Sequence, residues 1–145
     1  MIEVVRTVHT KTPIERVEPW LADFTTSQEW DPHTVTCERV DSGELRVGSE
    51  FDNTQQIGPM KTTLRYRVES RQPGSKIVLV SKSRLMTATD TMTFQTAGDG
   101  GTSVTYSARF ELNGPAKLGE PGLKKMMDKV ADEGAAGMQR CLDAL

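Results

Sequence analysis

The last quarter of the chain sets the tightest limit on what it can fold into. Leu123, Met126, Met127, Val130, Gly134, Met138, Cys141, Leu142 and Leu145 recur at steps of three and four, the spacing that gathers apolar side chains on one face of a helix. Roughly 22 residues at ~1.5 Å each make a helix of about 33 Å. Its stripe must be buried against a surface of similar length. The chain has 145 residues, room for one sizeable core but not two. Residues 1–145 therefore read as a single domain, and the helix must find its partner within it.

Nearly everything before that helix reads as strand. β-Branched residues fill Ile2 to Thr10, and further strands are expected over Thr34 to Val40, Ser49 to Ile57, Lys61 to Arg71, Lys76 to Ser83, Thr87 to Thr96 and Thr102 to Leu112. The breaks between them carry turn chemistry: "DSG" at 41–43, "GP" at 58–59, "QPGS" at 72–75 and "GDGG" at 98–101. Short connections between successive strands give an antiparallel sheet. Its apolar face is the one surface large enough for the helix. The expected class is α+β, one curved antiparallel sheet of about seven strands wrapped around a long C-terminal helix.

Two short helices are expected between the first two strands. In "TPIERVEPWLADF", Thr12, Pro13 and Glu15 fit a capping box with proline at the first helical position. Ile14, Val17, Leu21 and Phe24 then share a face, with Trp20 beside them. Pro19 lacks a backbone donor and is expected to kink or split this helix. In "FTTSQEWDPHTV", Pro32 holds Asp31 extended and starts the next strand. Trp30, a large aromatic at that junction, reads as packing or pocket wall rather than catalytic machinery.

Charge and cysteine usage narrow the partners. Lys and Arg total 18 against 20 Asp and Glu, a formal net charge of −2, and neither sign gathers into a run, so nucleic acid is not an expected partner. Cys37 and Cys141 stand alone, without zinc-site spacing or a disulfide framework. The opening "MIEVVRTVHT" reads as a strand, not a signal peptide, and no stretch is long and apolar enough to span a bilayer. A cytoplasmic protein without stable membrane insertion is the expectation.

If the sheet grips the helix, one alternating set per strand points inward. Leu64, Tyr66 and Val68 oppose Thr63, Arg65, Arg67 and Glu69; Met92 and Phe94 oppose Thr91, Thr93 and Gln95; Val104, Tyr106, Ala108 and Phe110 oppose Thr105, Ser107, Arg109 and Glu111. For "KIVLVS" the inward pair is taken as Ile77 and Leu79. Phe51 and Ile57 carry Asn53 and Gln55 inward with them. An apolar chamber with Asn53, Gln55, Tyr66 and Tyr106 as isolated polar groups has the usual composition of a small-molecule pocket. The same four could instead bridge to one another or to water in a filled core. Gly134 and Gly137 could bring the helix close to the sheet and shrink the chamber. The candidate ligand-binding set is Trp30, Phe51, Asn53, Gln55, Leu64, Tyr66, Leu79, Met92, Phe94, Tyr106, Phe110, Met126, Met127 and Val130, with Tyr66 and Tyr106 the catalytic candidates.

Other chemistry finds little support. His33 and Cys37 lie about 13 Å apart on a strand, too far to share one metal, so His33 reads as a rim or surface histidine, and His9 likewise. There is no G-x-S-x-G and no activated cysteine context. "GDGG" precedes no helix and makes a hairpin turn, not a phosphate cradle. Asp132 and Glu133, adjacent on the last helix, point different ways and suit a solvated face. Neither metal nor cofactor is expected.

The order of strand, helix pair, six-strand meander and long C-terminal helix resembles the START-like superfamily of helix-grip proteins. It is most similar to the bacterial branch named for polyketide cyclase/dehydrase and lipid transport. The likeness covers nearly the whole chain and is carried by "TPIERVEPWLADFTTSQEWDP", "GSEF", "YRVESRQPGSKIVLVS" and "DGGTSVTYSARFEL" followed by the last helix. It implies a cavity between sheet and helix that holds a small hydrophobic or amphipathic molecule, in a carrier or sensor acting as a monomer or weak homodimer. The alternative it implies is a polyketide cyclase or dehydratase, in which an interior arginine and tyrosine polarise a carbonyl. Tyr66 and Tyr106 could supply the phenol, but Arg65 and Arg67 fall on the outer face, which leaves that reading without its cation unless a bulge reverses the register. Chaperone activators of the same fold rank last, because "GMQRCLDAL" lacks the tryptophan common in their C-terminal helix.

Overall fold

The computed structural model describes residues 1–145. Seven strands form one antiparallel sheet: β1 (Ile2–Thr10), β2 (Thr34–Arg39), β3 (Glu50–Ile57), β4 (Met60–Gln72), β5 (Lys76–Lys82), β6 (Met86–Thr96) and β7 (Thr102–Leu112). Their order across the sheet is β1-β7-β6-β5-β4-β3-β2. The meander from β2 to β7 follows from the short turns, and β1 completes the sheet by pairing with β7 from Ile2 opposite Phe110 to Thr10 opposite Thr102. Three helices complete the fold: α1 (Ile14–Ala22) and α2 (Ser27–Trp30) between β1 and β2, and α3 (Glu120–Asp143) at the end.

The helical entry departs from the expected capping box. Thr12 does not cap α1; Pro13 occupies the cap position, and no side chain bonds the first turn. Thr12 is buried, and its hydroxyl donates instead to the carbonyl of Leu142 at 2.7 Å. That carbonyl belongs to the last turn of α3, where its backbone partner is the Leu145 amide at 3.3 Å, so the hydroxyl adds a shorter bond at a buried helix end, where a solvent-facing first turn has water instead. Thr10 joins the same tie, donating to Asp143 at 2.7 Å. Pro19 is accommodated on an exposed face, and α1 runs through it to Ala22. Asp23 then accepts from the amide and hydroxyl of Thr25 at 3.1 and 2.7 Å, starting a short 3-10 turn that leads into α2.

The concave face carries the core. Val4 and Val8 of β1, Phe51 of β3, Tyr66 and Val68 of β4, Ile77 and Leu79 of β5, Met92 and Phe94 of β6 and Val104 of β7 are buried there. Arg65 lies on the convex face, paired with Asp52 at 2.8 Å. The bulge that could have reversed this register comes later, between Val68 and Ser70. It turns Arg71 inward opposite Ile77, where it meets the buried Glu18 of α1 at 2.9 Å.

Helix α3 starts at Glu120, a few residues before its apolar stripe, and packs mainly on β1 and α2. Those elements lie at opposite edges of the sheet, β2 following α2 directly, so the helix closes the open side of the curled sheet. Asp132 and Glu133 do point different ways, yet each reaches one edge. Asp132 accepts from Arg6 of β1 at 2.8 Å, and Glu133 lies 2.7 Å from the His33 Nε2 at the entry to β2. Close approach to α2 depends on glycine. A Cβ on Gly137 would overlap the carbonyl oxygen of Trp30, so any other residue there forces the two backbones apart.

Candidate functional site

Between α3 and the sheet lies a cavity of about 70 Å³. It is lined by Val4, Arg6 and Val8 of β1, Gln55 of β3, Tyr66 of β4, Asp90 of β6, and Tyr106, Ala108 and Phe110 of β7. Trp30 and Asp31 close one end, and Met127, Val130, Ala131, Gly134, Ala135 and Met138 form the roof. This is small beside the roughly 300–1,000 Å³ of pockets for drug-sized ligands. The glycines of α3 let the helix sit close: a Cβ on Gly134 would stand 3.6 Å from the Trp30 ring, and Gly137 lies against the Trp30 backbone, with the indole in the cavity wall.

The expected site residues divide into two groups. Trp30, Gln55, Tyr66, Tyr106, Phe110, Met127 and Val130 reach the cavity wall. Phe51, Asn53, Leu79, Met92 and Phe94 point inward and are buried, but they pack in the core beyond the cavity. Leu64 is half-buried against that core. Met126 lies at the exposed edge of the α3 stripe, one position around the helix from the buried Met127. Asn53 donates to the Ser27 hydroxyl at 3.2 Å and so braces α2.

The strongest polar feature of the cavity is a residue absent from the expected set, Asp90. It is 4% exposed, on the inward face two positions before Met92. The Tyr106 hydroxyl donates to its Oδ2, and Tyr66 also helps hold its charge. Its Oδ1 is buried with no hydrogen-bond partner. Burial pushes the Asp90 carboxyl up to about 7, against the opposing pull of the Tyr106 hydrogen bond, with the charge of Asp31 adding to the rise. Both phenols are pushed well above their ordinary range, by burial first and by the charge of Asp90 next. At neutral pH the tyrosines are therefore neutral donors, while Asp90 is poised between its two forms.

Asp31 is the second acid. Its oxygens accept from the His33 amide at 3.0 Å, the Thr34 hydroxyl at 2.8 Å and the Gln55 amide at 3.2 Å. Burial outweighs these bonds and raises its pKa. Gln55 thus spends its amide on Asp31, and Trp30, edge-on to Tyr106 with centroids 5.5 Å apart, leaves its own Nε1 buried without a partner. Of three buried polar atoms without a partner, Trp30 Nε1, Asn53 Oδ1 and Asp90 Oδ1, the first and last belong to residues lining this one small cavity.

Arg6 also escaped the sequence reading. It shares the inward parity of Val4 and Val8 and lines the cavity, so a cation stands at this wall although Arg65 and Arg67 face outward. Its guanidinium is engaged by Asp132 at 2.8 Å and by the carbonyls of Val5 and Asp128 at 2.9 and 3.3 Å. Both omissions had a signal: extending the period-two alternation across each whole strand places Arg6 and Asp90 inside.

The profile of the family described as "Polyketide cyclase / dehydrase and lipid transport" matches residues 1–143. No curated protein matches the chain. Among solved structures, TTHA0849 from Thermus thermophilus superposes with a TM-score of 0.80 at 18% identity, covering 98% of this chain and 97% of the other. A START superfamily protein from Mycobacterium smegmatis gives 0.80 at 14% identity over 98% and 97%. The Zhui aromatase/cyclase from Streptomyces sp. R1128 gives 0.75 at 15% identity over 98% and 91%. At such identities the likeness establishes the START-like fold and leaves chemistry to the residues.

Proposed function

Since the chain belongs to the polyketide cyclase/dehydrase and lipid transport family, we propose that it binds a small amphipathic molecule between sheet and α3, apolar body along the roof and polar end at Asp90. The single observation that supports this reading is the unpartnered Oδ1 of Asp90 in an otherwise apolar chamber. A buried acceptor left open costs about 1–3 kcal/mol, which a ligand donor would return. A carrier or sensor needs no more than this. The volume of about 70 Å³ admits only a few heavy atoms, so a larger body enters with a displacement of α3. Native mass spectrometry of protein purified from its own cells, followed by denaturation, tests the reading. A co-purifying small molecule whose retention falls in Asp90→Leu supports it, and a mass that stays free of ligand in every preparation argues against a carrier.

A second reading is favoured by the same carboxyl. An acid with a pKa near 7, flanked by two neutral phenols, suits general acid-base chemistry on a carbonyl substrate, with Tyr66 or Tyr106 donating to the developing oxyanion. Full turnover of a carbonyl substrate by the Tyr66→Phe, Tyr106→Phe double variant would remove this role.

A further inference from the structure

The charges around the cavity are lopsided. Asp90 and Asp31 both line it, and both are buried, at 4% and 6% exposure. Asp31 is satisfied by three donors, whereas Asp90 keeps one oxygen free. No lysine lines the cavity, and its one cation, Arg6, is held by Asp132 and two carbonyls. Three electron-rich rings, Trp30, Tyr66 and Tyr106, complete the wall around Asp90. A carboxylate with a free lone pair, a second acid nearby and aromatic rings around it is the environment that stabilises a compact organic cation.

On the reading that this cavity holds the ligand, we infer that the ligand's polar end is a protonated amine, its nitrogen donating to Asp90 Oδ1 among Trp30, Tyr66 and Tyr106. An ammonium suits the site on three counts. It is small enough for the chamber, it relieves the repulsion between the two acids, and it supplies several donors where the wall offers acceptors and π-faces. A neutral alcohol offers one donor and leaves the acid pair uncompensated. A carboxylate ligand would add a third negative charge beside two acids. A metal ion would need three or more ligating acids, histidines or cysteines together, and no such group exists in the chain.

The test is a matched probe series measured by NMR titration and thermal shift: propylamine, 1-propanol and propionate, then benzylamine, benzyl alcohol and benzoate. The amine of each set should bind about tenfold to a hundredfold more tightly than its alcohol, the range expected for a charge-assisted hydrogen bond over a neutral one. Propionate and benzoate should bind weakest. Asp90→Asn, close in shape to the native side chain, should abolish the preference for amine while keeping the affinity for alcohol. If alcohol or carboxylate binds as well as the amine, or if Asp90→Asn keeps the preference, the amine assignment is overturned and the pocket stands. Should no probe of either set bind, the pocket itself is refuted and the assignment with it.

Discussion

Of the three buried carboxylates in this molecule, Glu18 and Asp90 differ most in their surroundings. Glu18 of α1 is 3% exposed and meets the Arg71 guanidinium through three hydrogen bonds of 2.9 to 3.3 Å. Asp90 of β6 is as deeply buried, yet its one hydrogen bond comes from the Tyr106 phenol and its other oxygen is unpartnered. The first environment is closed, with charge and hydrogen-bonding capacity both answered, and it ties α1 to the sheet. The second is open by one bond and one charge. A buried acid that the fold completes belongs to the structure, whereas one that the fold leaves incomplete points to a ligand.

Separating the two acids experimentally begins with the larger effect. Arg71→Met should destabilise the protein by about 3–5 kcal/mol in urea denaturation, because it strands a buried charge. A loss under about 1 kcal/mol, the scale of an exposed pair, would mean that water already reaches Glu18, and the contrast would collapse. Asp90→Asn should act in the opposite sense, and its effect should depend on pH. The native carboxyl titrates near 7 against an ordinary value of 3.8. The folded state therefore holds a proton that the unfolded chain has lost between these values, and stability falls as pH rises through that window. Asn does not titrate, so its advantage over the native protein should grow from about pH 4 to about pH 8, to at most about 4 kcal/mol. A gap that stays constant with pH would show that Asp90 is hydrated.

The glycines sharpen the comparison on a smaller scale. Gly137→Ala should cost about 1–3 kcal/mol, since the new methyl overlaps the Trp30 carbonyl. Gly134→Ala meets only the indole edge at 3.6 Å and should stabilise α3 by up to about 1 kcal/mol through helix propensity. The same methyl points at the cavity and should weaken probe binding, so calorimetry and NMR titration on one variant report opposite changes. At the bottom of the scale, Arg65→Ala on the convex face should leave probe affinity unchanged. A loss of binding there would place part of the site outside the sheet.

Period-two alternation made most of this architecture legible. Residues Thr102 to Leu112 form β7 as the sequence implies, and the inward parity of β4, β5 and β7 holds along their apolar positions. The same rule contained Arg6 and Asp90, but each interrupts an apolar run with a charge, and a reading that follows hydrophobes alone passes over them. Arg71 was beyond reach for a different reason. A one-residue bulge after Val68 exchanges the faces of everything beyond it, and nothing in "VESRQ" specifies where the extra residue sits. Thr12 misled because its local pattern was sound, while a carbonyl 130 positions away offered its hydroxyl a better partner. Cavity size was illegible too, since it turns on how near two glycines let α3 approach Trp30.

That near approach has a mechanical corollary. Backbone against backbone at Gly137 leaves no slack at the C-terminal half of α3, whereas Lys124, Lys125 and Met126 near its start are exposed. A stiff rod pinned at one end is a lever. From Gly137 to Leu123 is about 21 Å at ~1.5 Å per residue, so a tilt of about ten degrees carries the far end close to ~4 Å. The roof residues Met127 and Val130 travel roughly 2 to 3 Å on the same tilt, while the indole, Asp31 and Asp90 stay where they are. Widening the aperture in this way stretches the bonds from Arg6 to Asp132 and to the Asp128 carbonyl, and it spares the hydrogen bonds that hold Asp31 and Asp90.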